Sequence, residues 1–211
     1  MVSNSIWIES KKLLDRAIIS SSFGLILITL ILTACEVGGD YTPVASPVPT
    51  SAIPAPHLHT YRGQGYSIGY PQNWIVTQAS NGSVTIRDPQ GLAFLVIEVL
   101  PNPEGAVTAH AEIENTLRKN TFNLIAYKRI SIFPTVVVGG DTWSQGAANG
   151  NILIGDRSVS LAGKMVLIAD NHPALSPATN MFVIRYAAAQ SIFDVANVTY
   201  FLPMLRSFKF V

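Results

Sequence analysis

The sequence predicts an α+β fold built on an antiparallel sheet, set behind an apolar leader and a proline-rich segment. Three observations carry this reading. Short alternating runs separated by Asn81-Gly82, Asp88-Pro89-Gln90-Gly91 and Gly139-Gly140 fill most of residues 60 to 211, the pattern of strands joined by turns. Two stretches in that range, at 107–119 and from 191 onward, repeat apolar residues at helical spacing. Residues 36 to 59 shift abruptly to Pro, Ala, Ser, Thr and Val, with prolines too closely spaced for helix or sheet.

The chain opens with a polar, weakly basic leader in which Lys11, Lys12 and Arg16 stand nearest to an apolar run, Ala17 to Ala34. That run ends at Leu32-Thr33-Ala34-Cys35, which contains the only cysteine. The stretch resembles the lipobox of bacterial lipoprotein signal peptides, where small residues let a peptidase cut beside a lipid-modified thiol. The resemblance implies that residues 1–34 are a signal peptide and that Cys35 is the lipidated mature N-terminus. It also implies that the rest of the chain sits on the outer side of a cell membrane. A single-span anchor stays open beside it, because a run of this length would measure roughly 27 Å as a helix, close to the bilayer core. Cys35 would then be a free or palmitoylated thiol at the membrane surface.

Residues 35–59 read as a linker. Pro43, Pro47, Pro49, Pro54 and Pro56 fix φ and remove donors, so the segment is extended or coil, with a reach on the order of 70 Å. His57 and His59 close it. At i, i+2 on an extended chain they could grip a metal, but no Asp, Glu or Cys nearby completes a site.

Charge excludes one function class. The chain is 48% hydrophobic and 13% charged, about half the usual charged fraction. Removing Lys11, Lys12 and Arg16 from its 14 basic residues, and Glu9 and Asp15 from its 13 acidic ones, leaves 11 of each after residue 34. A neutral body has no electrostatic footprint for nucleic acid. Without a thiol to spare, the domain at 60–211 must fold on core burial alone, and roughly 150 residues suffice, burying about 68–70% of the unfolded surface.

Within the domain, Tyr66–Tyr70 alternates and stops at Pro71. Asn81-Gly82 suits a type I′ hairpin between strands at Trp74–Ala79 and Ser83–Arg87. The turn Asp88-Pro89-Gln90-Gly91 leads into Leu92–Leu100, the most apolar strand. Val107–Lys119 reads as a helix with the stripe Ala106, His110, Ile113 and Leu117, His110 being a hydrogen-bonded core histidine. Strands follow at Ile125–Phe133, Thr135–Val138, Asp141–Ala147, Val159–Ala169 and Phe182–Ala187. Between the last two, Asp170–Asn180 is the longest loop and the place to expect binding residues. Ser191 and Asp194 form a capping box for a last helix whose stripe is Ile192, Val195, Thr199, Leu202 and Leu205, with Pro203 kinking it or starting its last turn.

Two features at opposite ends of the domain carry a further resemblance: Gly65-Tyr66-Ser67-Ile68-x-Tyr70-Pro71-x-x-Trp74 and Leu205-Arg206-Ser207-Phe208-x-Phe210. With the order strands, helix, strands, helix they look like the PsbP-like family, which includes exported lipoproteins of the DcrB type. The resemblance implies an α-β-α sandwich with a central antiparallel sheet, Trp74 in its core, and a binding or assembly role without cofactor.

Gly65-Tyr66-Ser67-Ile68-Gly69 matches the letters Gly-x-Ser-x-Gly, but it lies in an alternating strand and not at the strand-to-helix turn of a nucleophile elbow; there is no His-Glu-x-x-His and no phosphate loop. Three readings remain. The first is a lipid-anchored module that binds an unidentified membrane-associated protein, with His172 and Leu175 of the long loop and Trp143 as contact residues. The second is a carrier of a small apolar ligand, and the third a hydrolase with a dispersed site. Trp143 is read either as core or as a partner contact.

Overall fold

The computed structural model describes residues 56–121, 124–154 and 159–211. Cys35, the lipobox and the proline-rich segment before Pro56 lie outside the described residues. The described residues make one compact unit, and every buried core side chain among them comes from Tyr66 to Phe208.

The strands are β1 (Leu58–Gly63), β2 (Tyr66–Pro71), β3 (Ile75–Gln78), β4 (Val84–Arg87) and β5 (Ala93–Pro101). Helix α1 (Ala109–Lys119) follows, then β6 (Ile125–Ile130), β7 (Thr135–Val138), β8 (Asp141–Ile154), β9 (Val159–His172) and β10 (Asn180–Ala189). The chain closes with α2 (Phe193–Ala196), a wide π turn (Asn197–Phe201), α3 (Leu202–Ser207) and β11 (Lys209–Phe210). Among the described residues these make an eight-stranded sheet, β3-β4-β5-β10-β9-β8-β6 with β7 also on β8, and a three-stranded sheet, β1-β2-β11. All pairings are antiparallel.

Alternation along the central strands sets up two cores. Val166 and Ile168 of β9, with Phe182, Ile184 and Tyr186 of β10, face a core closed by α2, the π turn, α3 and the small sheet. Leu167, Ala169, Met181 and Val183 face the other way, onto Ile113 and Leu117 of α1. Helices thus cover both faces of the large sheet, the α-β-α sandwich that the PsbP-like resemblance implies. Trp74 lies in the first core, its ring 5.4 Å from that of Tyr200 and 6.1 Å from that of Phe201.

The two resembling stretches meet in space. Lys209 and Phe210 pair with Ser67 and Tyr66, and the Tyr66 and Phe208 rings stack 5.6 Å apart. The Gly69 amide donates to Ser207 Oγ (2.7 Å), which donates to the Met204 carbonyl (2.6 Å). Burial pushes the Tyr66 phenol well above its ordinary range, because the phenolate would lose its hydration.

Several local expectations are corrected. Leu58 and His59 belong to β1, so the domain begins two residues inside the segment read as linker; their partners on β2 supply the backbone bonds that composition hid. The hairpin after β3 is not type I′. Gly82 donates to the Ala79 carbonyl and Ala79 to that of Ser83 (both 2.9 Å), and of Asn81 and Gly82 only the glycine has a positive φ. This is a three-residue loop ending in a left-handed glycine. The Asn81 side chain instead accepts from the amide and hydroxyl of Ser83.

Helix α1 is capped by Thr108, whose side chain accepts from the Ala111 amide, and so starts later than the spacing predicts. Its buried stripe is Ile113, Thr116 and Leu117, while Ala106 and His110 are exposed. Asn120 ends the helix with a left-handed φ of 44° and ties itself to Leu124 through both side-chain atoms. At the other end of the chain, Ser191 makes no capping bond; Ile192 stands at the cap without a side-chain bond. The buried residues of that helix are Phe193, Ala196, Phe201, Met204 and Leu205, and Val195 is exposed. The π turn explains the shift. Its extra residue places Phe201 on the face that Phe193 begins, and Leu202 donates to Asn197 across the wide turn just before Pro203, which has no donor to give.

Candidate functional site

The segment read as an eleven-residue loop is mostly strand. Asn180 pairs with His172, Met181 with Asn171 and Phe182 with Asp170, leaving Pro173–Thr179 as the connection. The reason is lateral support: β5 pairs with β10 up to Asn180, opposite Pro101, so sheet bonds extend into polar residues whose composition favours turns.

Hydrogen bonds fill this short loop. Buried Thr179 donates its hydroxyl to the Pro173 carbonyl (2.6 Å) and accepts from the Ser176 amide (2.9 Å). The Thr179 amide donates to the Ser176 carbonyl (2.9 Å), which also accepts from Glu104 (2.8 Å), while Asn102 donates to the Thr179 carbonyl (3.0 Å). Asn102 is itself buried and bridges the Val107 backbone and Asn171. Loop, the Pro103–Gly105 turn and the lead-in to α1 therefore form one bonded block.

Leu175 projects from that block, 82% exposed and at a φ of 51°. A left-handed backbone disfavours any side chain with a Cβ, and Glu104 in the facing turn is left-handed too, at 58°. The Leu175 side chain lies over Gly105, and Leu100 and Val107 on the same block are also exposed. His172, half-buried at the end of β9, stacks on Phe210 at 3.6 Å between ring centres, on the closed-core side of the sheet. Phe210 stacks in turn on Trp143 (5.9 Å). Trp143 is completely buried; it belongs to the core and has no surface to offer a partner, so the contact reading rests on His172 and Leu175. Asp170, in β9 at the same end, has its carboxyl held above the usual range by burial, with Asp141 adding to the shift.

A second concavity lies on the α1 face. Strand β5 is apolar on both sides: Leu95 and Ile97 enter the closed core, while Phe94 and Val96 line a cavity of about 310 Å³ together with Leu124, Ile152 and Met165. The near-continuous apolar run Leu92–Leu100 was the sequence signal for this second apolar face. Arg185 lines the cavity as well and donates to Glu98 Oε1 at 2.9 Å.

No protein-family model matches the chain, and no curated protein matches it. Among solved structures it is similar to the cyanobacterial PsbP (CyanoP) of Synechocystis sp. PCC 6803, with a TM-score of 0.46 and 15% identity over 79% of this chain and 99% of that one. It is also similar to LpqN of Mycobacterium tuberculosis, which is involved in cell envelope biogenesis, with a TM-score of 0.34 and 12% identity over 78% of this chain and 88% of that one. A Bacteroides thetaiotaomicron protein gives a TM-score of 0.38 at 10% identity, over 70% of this chain and 45% of that one.

Proposed function

We propose that this chain is an exported, lipid-anchored and non-catalytic binding module that docks a membrane-associated protein through its Pro173–Thr179 end. The observation that carries the reading is Leu175: an apolar side chain 82% exposed and at a left-handed φ, in a loop braced by the hydrogen bonds of Thr179, Asn102 and Glu104. Strain of this kind persists only where the surroundings over-determine it, and it clusters at sites of use. The lipobox at Cys35 and the proline-rich tether fit the same role, since tethering raises the effective concentration near membrane partners. With a neutral body, the contact is apolar and hydrogen-bonded, and salt weakens it little.

The test compares Leu175→Asp and Cys35→Ser with the parent in membranes, by cross-linking and mass spectrometry. Leu175→Asp keeps the parent's thermal stability and the lipid on Cys35 but loses the cross-linked partner. Cys35→Ser leaves the membrane fraction. A partner set unchanged by Leu175→Asp removes the loop from the reading, and a full-length species starting at Met1 with an unmodified thiol removes the lipid anchor.

A further inference from the structure

We propose that the concavity beside α1 binds an elongated apolar molecule with an uncharged, hydrogen-bonding head, such as a monoacylglycerol. This goes beyond the protein-docking role and stands apart from it, at the other end of α1: the docking loop is tied to the residues before the helix and the cavity is lined by residues after it.

The site follows from how far α1 reaches. Its buried residues pack on β8, β9 and the first part of β10, and the approach is close because Gly146 leaves room for it: a Cβ there would lie 2.7 Å from Leu117 and 2.8 Å from Ile113. Beyond that contact the same face carries Phe94 and Val96 from β5, Met165 from β9 and Ile152 from β8, with Leu124 beside them. The resulting volume, about 310 Å³, falls within the range of small-molecule pockets, about 300–1,000 Å³.

The polar groups choose the head. Arg185 and Glu98 are diagonal cross-strand neighbours, since Arg185 stands opposite Val96 and Glu98 opposite Val183, and they bond at 2.9 Å. The Arg185 guanidinium is thus engaged by a carboxylate and is not held out for an anionic head. Thr121 and Asn151 add hydrogen-bonding groups to the lining. An apolar floor with neutral polar walls selects a ligand of the same composition.

The experiment uses residues 49–211 and the uncharged fluorescent probe N-phenyl-1-naphthylamine, with monolaurin and laurate as competitors below their micellar concentrations. The expected result is saturable probe binding that monolaurin displaces at a concentration at least ten-fold lower than laurate does. Val96→Trp, which fills the floor, weakens probe binding at least ten-fold, while Leu175→Asp leaves it unchanged and so separates this site from the protein-docking end. If Val96→Trp does not fold, Leu153→Asp at the exposed rim is read against the same threshold. Absence of saturable binding, or affinity retained in the folded groove variant, overturns the site. Laurate competing as well as monolaurin overturns the neutral-head assignment.

Discussion

The two faces of the large sheet are built from the same strands and finished differently. On one, the C-terminal helix and the small sheet close over a continuous aromatic core that includes Trp74, Trp143, Phe182, Phe201 and Phe208. On the other, one short helix covers a patch of small and aliphatic residues and leaves Phe94 and Val96 beside a concavity. The closed face joins the start of the domain to its end, through β2 and β11, and stability concentrates there. The other face is covered only in part, and packing there leaves a concavity of about 310 Å³.

Substitutions across the two faces should separate accordingly. Trp143→Ala on the closed face has the largest expected effect, about 3–5 kcal/mol of stability; denaturation at or above parental stability would mean that this core is not the one holding the domain. Gly146→Ala, at the seat of α1, forces Leu117 and Ile113 aside and costs about 1–3 kcal/mol. A neutral result would show that α1 has play against the sheet. Phe94→Ala, on the part-covered strand, costs only about 1 kcal/mol because its ring is half-buried, and a loss matching that of Trp143→Ala would erase the distinction between the faces.

The smallest effect is electrostatic. Burial raises the carboxyl pKa of Asp170 above its ordinary 3.8, so the folded state holds the proton more tightly than the unfolded one. The stability linked to that proton is complete below the unfolded pKa and is lost as pH rises through the raised one. Asp170→Asn should remove that slope and be more stable than the parent above the window. A steeper slope in urea titrations across acid pH would contradict it.

What the sequence made legible was local. Turns such as Asp88-Pro89-Gln90-Gly91 hold as read, with the Gly91 amide bonded to the Asp88 carbonyl at 3.0 Å, because four residues contain all the chemistry. The place of Trp74 in the core, which the PsbP-like resemblance implied, also holds. Features set by distant partners were not. β1 is a strand because β2 lies beside it, the true length of β10 depends on β5 and β9, and the π turn exists to bring Phe201 onto a core assembled elsewhere. The candidate site divides the same way: composition pointed to the segment around His172 and Leu175, but the left-handed backbone of Leu175 and the buried staple of Thr179 arise only when Asn102 and Glu104 come alongside.

If the Leu175 end makes a specific protein contact, exposure alone is not what marks it. Val195 on the C-terminal helix is also apolar and 66% exposed, yet it stands on an ordinary helical turn. A photoreactive amino acid placed at 175, and in a second strain at 195, tests the claim directly in intact cells. The expected result is a discrete cross-linked adduct from position 175 that unlabelled Leu175→Asp protein fails to compete away and unlabelled parent does compete away, with none from position 195. Adducts of equal yield and identity from both positions, or none from 175, would contradict it.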